Sequence, residues 1–218
     1  EMILNTALYT VGGAFLNALV TCVMAYLAAR YNYFFSKIIY MIVVIVMVVP
    51  VVGAQASELE ILRNLHLYDN RFAFIVLKAS FVAGVYFLVF HAAFKDIPIT
   101  YTEAAMLDGA SDWCIMVKIC MPLVLNVFMT VFLITFIQYW NDYQLALLYM
   151  PSYPTLAYFV FYVQTLGNMK LENGTTVNLS TKTYVLAATF FLIIPVVILF
   201  SFLHERLMGN LSVGGIKG

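Results

Sequence analysis

The chain has 218 residues, 64% of them hydrophobic and only 10% charged, and its 11 basic and 11 acidic side chains cancel to a formal net charge of zero. Soluble domains carry roughly 25% charged residues, so this composition, with a mean hydropathy of +0.94, excludes an ordinary water-soluble domain. The neutral balance offers no basic surface for nucleic acid. Cys22, Cys114 and Cys120 lack metal-ligand or redox spacing, and His66, His91 and His204 are scattered, so no metal cluster is expected.

A hydrocarbon core about 30 Å thick takes about 20 apolar residues as a helix. Five segments qualify, at about Met2 to Ala29, Ile38 to Ala56, Phe72 to Phe94, Ile119 to Tyr139 and Thr183 to Leu203. The first lacks the basic leader of a signal peptide. It starts almost at Glu1, so an upstream portion is expected. On it, Thr6, Thr10, Gly13, Asn17, Thr21 and Ala28 share a stripe about 80° wide at roughly 100° per residue. Such a stripe serves either close helix packing or the lining of a solute path. "RYNYFFSK" then makes a tight turn into the second span, where Pro50 favours a kink. "SELEILRNLHLYDNR" leads to the third span, whose Lys78 lies near one end and can snorkel.

Residues 95–122 form the next connection. Its core, "EAAMLDGASDWCIMVKICMPL" from Glu103 to Leu123, carries Glu103, Asp108, Asp112 and Lys118. Placing these at the bilayer centre would cost on the order of 10 kcal/mol, so the segment lies outside the hydrocarbon. Its pattern is nevertheless helical. Thr102 suits an N-cap, with Glu103 in the first turn. Ala104, Ala105, Met106 and Leu107 favour helix. Gly109 suits the left-handed residue that ends a helix, Ser111 caps a second helix, and Pro122 ends or kinks it. Two short helices joined by a sharp turn are expected, the first displaying small residues to an approaching surface. An ordinary solvated loop is the alternative.

On the fourth span, Asn126, Thr130, Gln138 and Asn141 fall within about 120° of one another. They face either a partner subunit or a wet path in which amides and hydroxyls bind solute. Tyr139, Trp140 and Tyr143 are candidates for stacking on sugar faces or for interfacial anchoring. Residues 142–182 form a long loop whose "PTLAYFVFYVQTL" is too short to span and is expected as a surface or re-entrant helix. Pro195 favours a kink in the fifth span. The glycine-rich tail 209–218 is too flexible for helix.

Several of these stretches resemble one family. "EAAMLDGASDWCIMVKICMP" is similar to the EAA loop of ABC importer permeases, with Glu103, Ala104, Ala105, Gly109, Ile119 and Pro122 at the motif's places and Met121 where Leu is usual. "YWNDY", Tyr139 to Tyr143, resembles an element of carbohydrate-importer permeases. "VGGIKG", Val213 to Gly218, resembles the tail of the G-type half of the maltose importer. Together with "LNT" and "VVP" the resemblance covers essentially the whole chain, and the family's first helix has no counterpart here.

The resemblance implies an all-α, type I (MetI-like) importer transmembrane domain over residues 1–218, in a bacterial cell membrane. It implies a permease subunit for sugars or oligosaccharides. Glu103, Ala104, Ala105, Asp108 and Gly109 would couple to an ATPase, and Gly214, Gly215 and Lys217 of the tail would reach between ATPase subunits. Asn17, Thr21, Asn126, Thr130, Gln138, Trp140 and Asn141 are the candidates for the substrate path. Expected partners are a second, F-type permease half, two ATPase subunits holding ATP and Mg, and an extracellular solute-binding protein. No cofactor is expected in this chain, which hydrolyses nothing. The EAA loop would be cytoplasmic, residues 142–182 extracytoplasmic and the tail 209–218 cytoplasmic. The count of Lys and Arg near the spans favours this orientation only slightly. An ABC permease for another solute and a secondary transporter are the competing readings. The latter would want intramembrane ionisable residues, for which only Lys78 and His91 are candidates.

Overall fold

A long uncharged run satisfies its backbone in hydrocarbon only by pairing within itself, and residues Met2–Arg30 do so as one 29-residue helix, α1. The structure is a computed structural model and describes residues 1–31, 33–49, 53–78, 84–166, 168–170, 176–178 and 182–208. After α1 come α2 (Phe34–Val48), α3 (Ala54–Asn64), α4 (Arg71–Leu77), α5 (Gly84–Asp96) and α6 (Ile99–Leu107). A helical stretch from Asp112 to Leu123 follows, made of α7 (Asp112–Ile115), a π-helical segment (Met116–Cys120) and α8 (Met121–Leu123). Then come α9 (Leu125–Trp140), α10 (Tyr143–Leu148), α11 (Leu156–Leu166), β1 (Asn168–Lys170), β2 (Thr176–Asn178) and α12 (Lys182–Met208).

The fold is mostly helical, as expected. Two helices among the described residues, α1 and residues Lys182–Phe202 of α12, are long and apolar enough to cross a membrane unbroken. Asp112–Leu123 with Leu125–Trp140 makes a third candidate, bent by 73°. The second and third expected spans differ from simple rods. The second ends as helix at Val48 and resumes at Ala54, and the third is divided between α4 and α5. Pro50 and the tail 209–218, with Gly214, Gly215 and Lys217, lie outside the described residues. The long loop contains more than the one helix expected: α10, α11 and a two-stranded antiparallel hairpin in which Met169 pairs with Val177.

Two compact units divide the chain. One comprises residues 1–13, 54–76 and 136–218. Its core gathers Tyr9, Leu62, Phe74, Leu145, Tyr149 and Met150. Thr6 Oγ1 accepts from Leu156 N at 2.9 Å. Arg71 donates to Asn5 Oδ1 at 3.1 Å and lies 4.5 Å from the Tyr153 ring centre. Gly12 permits close approach here, since a Cβ on it would stand 3.2 Å from Ile75 Cγ2.

The other unit comprises residues 14–53 and 77–135. Its core is built on Ala18, Cys22, Ala25 and Tyr26 of α1, Phe87, Phe90 and Phe94 of α5, and Ile115, Met116, Cys120 and Val124. Asn17 Nδ2 donates to the Lys78 carbonyl at 2.8 Å. The small residues of α1 thus let bulky Phe side chains close against it, the helix-packing use of such a face. Thr6, Thr10, Asn17 and Thr21 are all buried.

Candidate functional site

The connection expected to dock forms as two helices with a sharp turn. Helix α6 begins at Ile99, not after Thr102, and its N-cap is Pro98, with no side-chain cap. Proline presets φ near −65° and contributes no N–H that a cap would have to satisfy, so the helix starts one turn earlier and Glu103 sits within it. The C-terminus is a Schellman motif. Ala110 N donates to the Ala105 carbonyl at 2.9 Å and Gly109 N to the Met106 carbonyl at 3.0 Å. Gly109 takes φ +81°, and a Cβ there would meet nothing within 4 Å. Its requirement for glycine is therefore conformational, not steric.

Ser111 caps the second helix, accepting from Cys114 N. Asp112 follows in the first turn, where a carboxylate suits the helix dipole. Pro122 lacks an N–H and crowds the carbonyl four residues back. The helix relaxes into a π segment just before it, with Met121 N donating to the Met116 carbonyl. The 73° bend follows at Val124. Sequence reading expected the kink but not the π segment.

Exposure divides the coupling candidates. Glu103, Ala104, Asp108 and Gly109 are exposed, whereas Ala105 is buried against the unit's own core. The displayed surface is not made of small residues alone. Leu107 is 90% exposed, Trp113 70% and Met106 51%. Large apolar side chains at a charged turn are the anatomy of a protein contact, an apolar centre with a polar rim.

A tether fixes this turn to the end of α1. Arg30 Nη2 donates to the Ile97 carbonyl at 3.0 Å. Next to it, burial and then the nearby Asp112 charge push the Tyr31 phenol's pKa up. Partners 67 positions apart cannot be paired by local pattern, so the tether escaped sequence reading.

The second group of candidates lies around "YWNDY". Gln138, Tyr139, Asn141, Asp142, Tyr143 and Gln144 line a pocket of about 370 Å³. Asp142 caps α10 by accepting from Leu145 N at 3.1 Å. Gln138 and Asn141 are exposed, with Asn141 Nδ2 donating to the Ile137 carbonyl. Trp140 is different. It is buried, stacks on Phe136 at 5.6 Å and donates from Nε1 to the Leu192 carbonyl at 2.8 Å. Neither face of its ring is presented as a sugar platform. Tyr143 is stacked on Phe161 at 4.4 Å and Tyr139 on Tyr9 at 5.7 Å.

Of the other path candidates, Thr130 is exposed and donates to the Asn126 carbonyl at 2.8 Å, and Asn126 is half-buried. Asn17 and Thr21 are buried within their own unit. The open polar groups are thus Thr130, Gln138 and Asn141. Asn17, Thr21 and Trp140 hold the helices together.

Among the described residues no group of His, Cys, Asp and Glu side chains could hold a metal. A family profile described as "Binding-protein-dependent transport system inner membrane component" matches residues 20–211. The chain is 28% identical to the inner membrane ABC transporter permease protein YcjP of Escherichia coli, over 83% of this chain and 59% of that protein. It is 25% identical to the melibiose/raffinose/stachyose import permease protein MelC of Bacillus subtilis, over 99% of this chain and 75% of that protein. The chain thus spans well under two thirds of the first relative and three quarters of the second. A solved bacterial ABC transporter involved in the import of the acidic polysaccharide alginate contains a chain of the same fold. The TM-score is 0.78 at 22% identity, covering 94% of this chain and 73% of that one.

Proposed function

We propose that this chain, which belongs to the family of binding-protein-dependent transport system inner membrane components, is a permease subunit of an ATP-driven bacterial importer of sugars or oligosaccharides. It works as a multi-pass protein of the cell membrane. The observation that carries this reading is the turn from Ile99 to Leu123. A rigid Schellman end at Gly109 and a capped helix start at Ser111 hold Glu103, Met106, Leu107 and Trp113 outward. Such a surface suits a cleft on a cytoplasmic ATPase, with Leu107 as the apolar anchor and Glu103 meeting a basic side chain at the rim.

The tether gives that contact a consequence. Movement of the ATPase shifts the turn, and Arg30 passes the shift to α1. The chain itself hydrolyses nothing; ATP and Mg belong to two ATPase subunits. A second permease half, of the F type in the maltose-importer comparison, completes the path. An external binding protein delivers solute to the side bearing residues 142–182. Asn141 and Gln138 supply the amides that sugar hydroxyls would meet. The cargo class is supported by MelC, named for oligosaccharide import, and by a pocket that offers Gln and Asn amides and no basic side chain for an anion.

The test is ATPase activity of the complex purified with its partner subunits and reconstituted in vesicles, in the presence of binding protein loaded with different saccharides. Saccharide-dependent stimulation that is lost in Glu103→Ala is expected. If Glu103→Ala and Leu107→Ala leave ATPase assembly and stimulated turnover intact, the coupling assignment is wrong.

A further inference from the structure

A second cavity, away from the docking turn, has the chemistry of an anionic lipid site. It lies wholly in the unit of residues 14–53 and 77–135, with a volume of about 580 Å³. That is ample for a glycerophosphate head, since small-molecule sites run from roughly 300 to 1,000 Å³. One end is polar and cationic, with Lys37 and Ser36 at the start of α2 and Lys95 at the end of α5. No Asp or Glu stands among its lining residues. Both lysines are exposed, so their ammonium groups are open to a ligand.

The rest of the cavity is apolar and runs along one helix face. Lys37, Tyr40, Met41, Val44 and Ile45 recur at helical spacing on α2. At 1.5 Å per residue the face extends about 12 Å from the lysine, the reach of roughly half an acyl chain. Opposite, His91 lies one turn before Lys95 on α5. Its ring stands 4.9 Å from Tyr40 and 6.0 Å from Phe87, which fixes the cavity floor. A cationic end continuous with an apolar trough matches one ligand class in both its parts: phosphate at the lysines, hydrocarbon along Met41, Val44 and Ile45.

We propose that this cavity binds an anionic phospholipid of the inner leaflet, with the phosphate between Lys37 and Lys95 and one acyl chain along the Val44 face of α2. Basic pockets between membrane helices at the cytoplasmic level take such head groups. Its level follows from Arg30, which ends α1 two residues after the cavity's Ala28 and binds the Ile97 carbonyl next to the docking turn. The choice of leaflet therefore rests on the docking turn being cytoplasmic, as proposed above. The lipid would brace the α1–α2–α5 corner that receives the turn's motion.

The test is native mass spectrometry of the complete detergent-purified transporter with dioleoyl phosphatidylglycerol, dioleoyl phosphatidylcholine or soluble glycerol 3-phosphate. Phosphatidylglycerol adducts should exceed phosphatidylcholine adducts at least fivefold. Lys37→Gln with Lys95→Gln should remove that excess, and Lys37→Arg with Lys95→Arg should keep it. Val44→Trp should weaken phosphatidylglycerol binding with both lysines present. Equal adducts for the two lipids, or an excess unchanged in the double Gln variant, would sink the proposal. Lysine-dependent glycerol 3-phosphate binding as tight as that of the lipid would instead make it a free-anion site. Crosslinking of Val44→Cys to another protein segment in native membranes would assign the trough to protein and overturn the lipid. ATPase co-purification is scored on each sample. A wild-type complex without ATPase that still selects phosphatidylglycerol refutes the importer reading alone; an intact complex without selectivity refutes the lipid alone.

Discussion

The turn proposed to dock and the region around α10 and α11 solve opposite problems with similar residues. In the turn, backbone groups are satisfied internally by the Schellman bonds at Gly109 and by the Ser111 cap, while Leu107, Trp113 and Glu103 are left outward. Around α10 and α11 the side chains themselves are consumed. Trp140 is tied to Leu192, Tyr149 to Glu58, Thr6 to Leu156 and Asp69 to Ser152. The turn proposed to dock fixes its backbone and leaves its largest apolar side chains, Leu107 and Trp113, uncommitted. A region built to be stable by itself does the reverse. Substitutions should therefore separate cleanly into those that lower stability and those that lower assembly.

The largest effect belongs to the self-closed region. Trp140→Ala removes a buried ring, its stack on Phe136 and its bond to Leu192. It should cost about 3–5 kcal/mol, read as a drop in the thermal midpoint of the purified transporter. Unchanged stability would mean that Trp140 is held open for solute after all. Next comes Leu107→Ala. An anchor of this size at the centre of a contact is worth about 2 kcal/mol of binding, some 30-fold in ATPase affinity. The permease's own midpoint should stay put, because Leu107 is almost fully exposed. A matching loss of midpoint would erase the distinction. Gly109→Ala is smaller and tests the backbone geometry of the turn itself. Its Cβ meets open space, so only the left-handed backbone resists, at about 1–2 kcal/mol. Gly109→Asn, which tolerates that backbone better, should recover part of the coupling lost in Gly109→Ala.

How much of this was legible follows the same division. The turn could be read because every signal in it is local. Gly109 ends one helix, Ser111 starts another, and Pro122 disturbs the carbonyl four residues behind it. The one local error, Thr102 as cap, arose because Pro98 can start a helix without any capping side chain. The display of Leu107 was missed because an apolar residue on a short helix reads as core until tertiary packing shows otherwise. For Asn17 and Thr21 packing was one of the two readings the stripe offered, but neither their burial nor that of Trp140 could be settled from the sequence. Polar stripes and interfacial aromatics look the same whether they face a path or a neighbouring helix, and the neighbours, Lys78 and Leu192, are 61 and 52 positions away. The hairpin of β1 and β2 escaped for a related reason: three-residue strands are too short to show an alternating pattern.

The smallest effect tests whether the self-closed region holds together by its side chains. Tyr149 Oη donates to Glu58 at 3.0 Å, joining α10 to α3, while Asp69 N donates to the Tyr149 carbonyl. Burial, then the bond to the Glu58 carboxylate, push the Tyr149 phenol up to about 12 from its usual 10. The sign is fixed by which form the fold prefers. The folded state holds the neutral phenol, so the stabilisation is complete below pH 10 and is lost as pH rises toward 12. Glu58 is exposed, and water competes for its carboxylate, which limits the bond to about 1 kcal/mol. Tyr149→Phe should thus lower the thermal midpoint slightly at pH 8 and lose the part of the decline between pH 10 and 12 that the wild type owes to this phenol. Glu58→Gln keeps an acceptor but removes the charge, so it should fall between the two. If Tyr149→Phe matched the wild type at both ends of the range, the Tyr149 ring would be held by its packing against Phe74 of α4 and not by Glu58. The contrast with the docking turn would then lie in apolar burial and not in hydrogen bonds.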